Sequence, residues 1–336
     1  MRRIERTAVV ALAALVAVAL AAAASAAYTS PKLQVSYAAG NVTRIVASAA
    51  VGDDATARAA IVIPTGTTIA ATPAPGTKVG TARAQVSALA LGGALLPLAG
   101  DIVVAPPGAV PAASQAACVG PVTPQATLLL VLQAAGQTIN LPAYIVPTTS
   151  AFTALGSSQL VFCLPPPDLP VASGGATFGA KFLSADLTLN GVFGPVPQGA
   201  WVGIWLPYNA GVGTVNGAAI VASPAQIAPG SVTLTGRKVR GVKRLSGRVT
   251  QSGAGVATRV SILVGTKRLA TVSAKANGSF TYAVPKKSKA TSFRARAVVA
   301  GRDSAAVCGQ FGSLGVPCVN GTVSGFTAQS GVVQVR

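Results

Sequence analysis

The sequence predicts an all-β protein: two antiparallel β-sandwich domains in tandem after a cleaved signal peptide. Three observations predict it. Short runs alternate apolar and polar residues and are separated by Gly, Pro or Asn-Gly, the pattern of half-buried strands joined by tight turns. Aromatic residues make up only 5% of the chain, while Gly and Pro number 37 and 23, so the cores must be built from small aliphatic side chains. Basic residues crowd into the last third, which marks that part as a separate domain.

Taken in order, the first element is residues 1–26. Met1-Arg-Arg-Ile-Glu-Arg6 is a basic start, Ala8–Ala24 is apolar, and Ala24-Ser25-Ala26 is a small-residue cleavage pattern. Together they read as a secretory signal peptide. No Cys lies near the cleavage site, and no later stretch is long and apolar enough to span a bilayer. The expected location is therefore extracellular or cell-wall associated.

Residues 27–222 read as the N-terminal sandwich. Strands are expected at Lys32–Tyr37, Asn41–Ala49, Ala57–Ile63, Thr77–Ser87, Ile102–Ala105, Thr127–Leu132, Thr138–Val146, Gln159–Cys163, Thr177–Leu189 and Ala200–Leu206. Pro64-Thr-Gly66, Pro73-Ala-Pro-Gly76 and Pro106-Pro-Gly108 punctuate them. Ala82–Leu91 also carries a competing pattern for a short helix. Residues 223–230, Ser-Pro-Ala-Gln-Ile-Ala-Pro-Gly, read as a linker. Residues 231–336 then form the second, basic sandwich. Val260, Ile262 and Val264 share one face of a strand, as do Phe280, Tyr282 and Val284, while Arg294 and Arg296 lie opposite Phe293. Asn277-Gly278 is a turn signal between two such runs.

The runs Leu245-Ser-Gly-Arg-Val249, Gly255-Val-Ala-Thr-Arg-Val-Ser-Ile262 and Ala276-Asn-Gly-Ser-Phe-Thr-Tyr282 resemble bacterial immunoglobulin-like and carboxypeptidase-regulatory-like β-sandwich modules. The resemblance covers roughly a quarter of the chain. It implies a spacer or adhesion role and transfers no catalytic residue. In the first domain, Ala74-Pro-Gly-Thr-Lys-Val-Gly-Thr-Ala-Arg-Ala84 and Leu98-Ala-Gly-Asp-Ile-Val-Val104 are similar to a recurring segment of secreted β-proteins from actinobacterial-type genomes. That likeness implies an extracellular β-fold.

Charge divides sharply between the two parts. Tyr28–Gly230 has six Lys or Arg against five Asp, a net of +1, whereas Ser231–Arg336 has seventeen against Asp303 alone, a net of +16. Such a field attracts polyanions. For an exported chain the expected partners are anionic cell-wall or surface polymers, with Arg259, Lys286, Lys287, Lys289, Arg294 and Arg296 as the candidate contacts. Nucleic acid is a weaker candidate, because exposed aromatics do not interleave with the basic residues as base stacking requires. The bland alternative is that these charges only keep the sandwich soluble and its edges unpaired.

The four cysteines, Cys118, Cys163, Cys308 and Cys318, are an even set in an exported chain and read as disulfides. Of the three possible pairings, Cys118–Cys163 with Cys308–Cys318 keeps each bridge within one domain. No CxxC spacing and no histidine occur, so no metal site and no cofactor are expected.

The absence of histidine also removes Ser-His-Asp and Cys-His nucleophile arrangements. Glu5 is the single glutamate, so the mature chain would have only six Asp for paired-carboxylate chemistry. Asp53-Asp54 and Asp168 read as turn residues. No enzymatic activity is expected. Trp201 and Trp205 share one strand face, with Tyr208 close by. They read either as core or as a sugar-stacking platform. Two functions follow: an envelope-associated protein whose basic domain binds anionic polymers, or a carbohydrate-binding module using Trp201, Trp205 and Tyr208.

Overall fold

The computed structural model describes residues 28–70, 73–148, 150–196 and 198–336. The expected leader at 1–26 lies outside the described residues. Eleven strands occupy the first two thirds of the chain: β1 (Lys32–Ala38), β2 (Val42–Ser48), β3 (Thr56–Ile63), β4 (Lys78–Ala88), β5 (Ala94–Val104), β6 (Ala126–Ala134), β7 (Gln137–Pro147), β8 (Ser158–Cys163), β9 (Ala180–Asn190), β10 (Gly199–Pro207) and β11 (Val221–Ile227). The all-β class holds. Ala82–Leu91 is strand as far as Ala88 and only then a single 3-10 turn.

These strands form one antiparallel sheet in the order β1-β2-β9-β4-β5-β6-β7-β8-β3-β10-β11. The sheet curls until β1 lies against β11. The two layers expected of a sandwich are therefore two halves of one continuous sheet. Registers place a single set of side chains inside it: Leu130 faces Leu141 and Ile102, and Ala59 faces Phe162 and Trp205. The interior is Leu, Ile, Val and Ala, with few aromatics.

Part of the outer face is buried too. Tyr144, Val161, Val202 and Ile204 point outward and are covered by α1 (Ala112–Val119) with Val110 before it, by Phe152 and Leu155, and by Phe311, Leu314 and Val316. The Cys118–Cys163 disulfide ties that helix to β8. Closing a loop of this kind contributes about 2–4 kcal/mol.

Residues 223–230, expected as a linker, are mostly strand. β11 runs to Ile227, and Ser223 and Ala222 are fully buried. Pro224 is tolerated because β11 pairs continuously only with β10. On its other side the pairing skips Pro224, running from the bridge of Ala222 with Cys318 to residues 225 and 226, so the missing N–H falls in the gap.

The second unit comprises β12 (Gly230–Val239), β13 (Val242–Gln251), β14 (Ala254–Gly255), β15 (Arg259–Val264), β16 (Lys267–Ser273), β17 (Ser279–Ala283) and β18 (Ser292–Val299). The chain then leaves it through β19 (Arg302–Asp303), α2 (Ala305–Gln310) and β20 (Thr322–Val323), and returns with β21 (Phe326–Gln329) and β22 (Val333–Gln334). One sheet holds β12, β13, β14 and β17; the other holds β16, β15, β18, β21 and β22. Leu245, Val249, Phe280, Ile262, Phe293 and Ala295 pack between the two sheets, a β-sandwich.

The excursion at about 300–324 corrects the expected boundary. Sequence order puts it in the second sandwich, but β20 pairs with β11 and β19 with β20, extending the first sheet. Thr322 Oγ1 donates to Leu33 O at 2.6 Å, and Asn320 Nδ2 to Pro31 O at 3.3 Å, so the excursion crosses the seam where β1 meets β11. The Cys308–Cys318 disulfide lies within it. Phe311, Leu314 and Val316 pack on the first sheet's outer face, so this bridge does not clip a strand onto the second sandwich. Gln251 anchors the junction: its side-chain amide donates to Ser324 O at 2.8 Å and its Oε1 accepts from Arg302.

At the opposite end of the first unit, Asp53 holds the start of the described chain. Its buried carboxylate accepts from Thr29 N, Thr29 Oγ1 and Ala50 N at 2.7–2.9 Å. Burial alone would raise its pKa; the donors outweigh burial and hold it below the ordinary 3.8. A depressed folded-state value stabilises the fold fully above pH 3.8, and that contribution is lost as pH falls through the lower folded value. Asp53→Ala leaves those donors unpaired and is expected to cost roughly 1–3 kcal/mol. Urea unfolding at pH 7 and at pH 2.5 checks this, the difference between the two proteins shrinking at the lower pH.

Candidate functional site

The second unit meets the first at one end, where Ser252 N donates to Pro229 O and Val299 pairs with Phe326. The far end is set by strand direction. The β12–β13 hairpin turns there through Arg240 and Gly241, both at positive φ, as a two-residue hairpin turn requires. Val284 N donates to Lys243 O, and Lys243 Nζ donates to Ala290 O at 2.7 Å, bringing the β17–β18 loop beside that tip. Leu263 pairs with Arg294, so the β15–β16 turn lies at the same end. Phe293 pairs with Val333, which brings the C-terminus there as well.

Of the seventeen Lys and Arg beyond Gly230, twelve therefore gather at this end. The hairpin tip contributes Arg237, Lys238, Arg240, Lys243 and Arg244. Lys286, Lys287 and Lys289 come from the loop, Lys267 and Arg268 from the β15–β16 turn, and Arg294 and Arg336 stand beside them. All but Lys243 are exposed. The one acidic residue of this part, Asp303, is at the junction and pairs with Lys32 at 2.8 Å.

Within the hairpin, Arg237 stands directly opposite Arg244, and Lys238 opposite Lys243. Like charges in direct cross-strand register are destabilising. The described ion pairs, Lys32–Asp303, Arg44–Asp186 and Lys78–Asp101, all lie away from this end. The tip thus keeps two like-charge register pairs with no Asp or Glu side chain among the described residues to offset them. An anion with several charges would relieve both.

The expected contact residues divide. Lys286, Lys287, Lys289 and Arg294 join the basic end. Arg259 and Arg296 are also exposed, but they sit nearer the junction on the outer face of the β15–β18 pair. Arg296 lines the groove between the two units, with Tyr37 and Arg44 across from it. Sequence reading missed the hairpin tip. Its signal was present as Arg237-Lys-Val-Arg-Gly-Val-Lys-Arg244, a charged run folded about Arg240-Gly241.

The aromatic alternative fails on burial. Trp201 and Trp205 do share a face, but it is the inner one, and both are no more than 1% exposed. Trp201 Nε1 donates to Tyr37 Oη at 3.2 Å, and Trp205 Nε1 to Ser223 Oγ at 2.6 Å. Tyr208 is buried and donates to Leu164 O. Burial raises its phenol pKa above the ordinary value. None of the three offers a ring face to a sugar.

No family model matches the chain, and no curated protein matches it. A solved structure, described as a tetra-tandem repeat in the extending region of a large adhesion protein, is 12% identical over 91% of this chain and 100% of its own, with a TM-score of 0.21. No helix among the described residues is long and apolar enough to cross a membrane. Two disulfides fit an extracellular protein.

Proposed function

We propose that this is an exported, non-enzymatic envelope protein whose second sandwich docks by its far end onto anionic wall or surface polymers. The observation that supports it is the two like-charge pairs in register at the β12–β13 tip, beside the three-lysine loop and with no Asp or Glu side chain among the described residues there. A fold that needed charge only for solubility would spread it; this one concentrates it where the loops converge. The first sheet holds the sandwich by one end through Gln251 and β20, leaving the basic end projecting. The lack of histidine and the resemblance to spacer and adhesion modules support a non-catalytic role.

Binding to a poly(glycerol phosphate) wall polymer tests the reading, with neutral dextran as control. Retention is expected on the polyanion alone. It should fall roughly a thousandfold between 50 and 200 mM salt if six phosphates are contacted. Equal retention on dextran, or no salt dependence, rejects it.

A further inference from the structure

The first sheet is filled unevenly along its axis. Toward the second unit its interior is closed by Trp201, packed edge-on to Phe193 at 5.3 Å, with Leu33 and Val35 beside them. Toward the other end, inward positions carry small residues: Ala84, Ala185, Ala59 and Ala47. A cavity of about 170 Å³ remains there, with Trp205 and Phe182 in its wall and almost wholly apolar surroundings. Val86, Ile139, Leu141 and Phe182 face inward by register yet are only half-buried. Pro165, Thr177 and Ala180, where the chain passes from β8 into β9 at this end of the sheet, line the cavity too and place its mouth here.

The loops around that mouth expose aliphatic side chains. Leu89 and Leu91 stand on the β4–β5 turn and Leu95 at the start of β5, Val171 on the β8–β9 connection, Val212 and Val215 after β10, and Val51 after β2, each between 44 and 66% exposed. They are seven of the eleven large apolar side chains found exposed among the described residues. A rim of this kind is unusual for a surface whose neighbour is water alone.

We propose that the cavity takes a single acyl chain, end first, drawn from a lipid or free fatty acid at an apolar surface that the rim contacts. The walls specify this occupant. A peptide segment would bring backbone N–H and C=O groups into a space with almost no partners, each costing several kcal/mol. The Trp205 N–H is already engaged by Ser223. A hydrocarbon chain brings no such groups. The volume is close to that of cavities of about 150 Å³ that stay dry and take benzene-sized guests, which suits the terminal carbons of a chain. The rim residues are not among those lining the cavity; they serve the contact with the donor surface, not the hold on the chain. This site lies at the end of the molecule opposite the basic one and does not depend on it.

The test uses protein purified from culture medium, with a dodecanoic acid carrying a nitroxide at its chain end, in 1 M NaCl. Trp205 lines the cavity, so the nitroxide is expected to quench tryptophan emission saturably. Ala84→Leu and Ala185→Phe each fill the space from a different strand, and each is expected to weaken quenching about tenfold or more. Circular dichroism and melting identify whichever variant folds. The double variant Leu91→Ser, Leu95→Ser is expected to quench like the parent with free chain but to take chain more slowly from phosphatidylcholine vesicles. Absence of quenching overturns the proposal. So does parental quenching by a folded filled variant, or loss of free-chain quenching in the rim variant alone, since that pattern means surface adsorption. High salt silences the basic end, so failure here leaves the polyanion reading standing.

Discussion

Replacing Trp201 with alanine is expected to cost the first unit about 3–5 kcal/mol, the largest single-residue loss in the molecule. The side chain is fully buried, and its indole meets Phe193 and Tyr37 edge-on, with centroids 5.3 and 6.5 Å away. Few other large groups are present to collapse into the vacated space, because the interior is otherwise Leu, Ile, Val and Ala. The indole N–H bond to Tyr37 Oη is lost as well. Trp201→Phe keeps most of the volume and should cost clearly less. Urea unfolding followed by far-UV circular dichroism measures both. An alanine variant as stable as the parent would show that the indole does not close that end of the sheet.

That pair of tryptophans also shows how far the sequence was legible. A spacing of four residues on a strand puts Trp201 and Trp205 on one face, and they are on one face. Which face was not written locally. It follows from Ala59 and Ala225 standing opposite them across β3 and β11. The strands themselves were readable where a period of two ran unbroken, as in β18, or where a continuous apolar run marked burial on both faces, as in β6. β11 escaped because Ser223-Pro-Ala-Gln-Ile-Ala-Pro-Gly230 has the composition of a linker, and only burial between β10 and the excursion makes it a strand. The excursion escaped for a similar reason. Residues 300–324 have little periodicity, and contacts such as Thr322 to Leu33, 289 residues apart, position them. Net charge was legible from counting. Its gathering at one end was not, because that depends on the registers joining Arg237 to Arg244 and Leu263 to Arg294.

The second large effect is functional. Arg237→Ser, Arg244→Ser, Lys286→Ser, Lys287→Ser and Lys289→Ser together should abolish polyanion retention at 150 mM salt. Lys243 is left in place because its ammonium bonds Ala290 O. Arg240 is also left, since its positive φ suits few residues. The same substitutions should leave the fold equally stable or more stable, by about 0.2–1 kcal/mol from relief of the Arg237–Arg244 pair. Binding and stability would then move in opposite directions. That is the signature of charge kept for a partner at some expense to the fold. Loss of stability alongside binding would point instead to a structural role for these residues. A control variant changes Lys78 and Lys181 on the first unit. They lie on the other sheet, and retention should be unchanged.

The most direct measurement is the slope of the logarithm of binding constant against the logarithm of salt concentration, taken for parent, control and five-substitution variant on poly(glycerol phposphate). Parent and control should share one steep negative slope, and the variant's slope should be shallower by roughly one for each cation that made contact. Three parallel lines, with the variant shifted or not, would mean that the β12–β13 tip and its neighbouring loop do not touch the polymer.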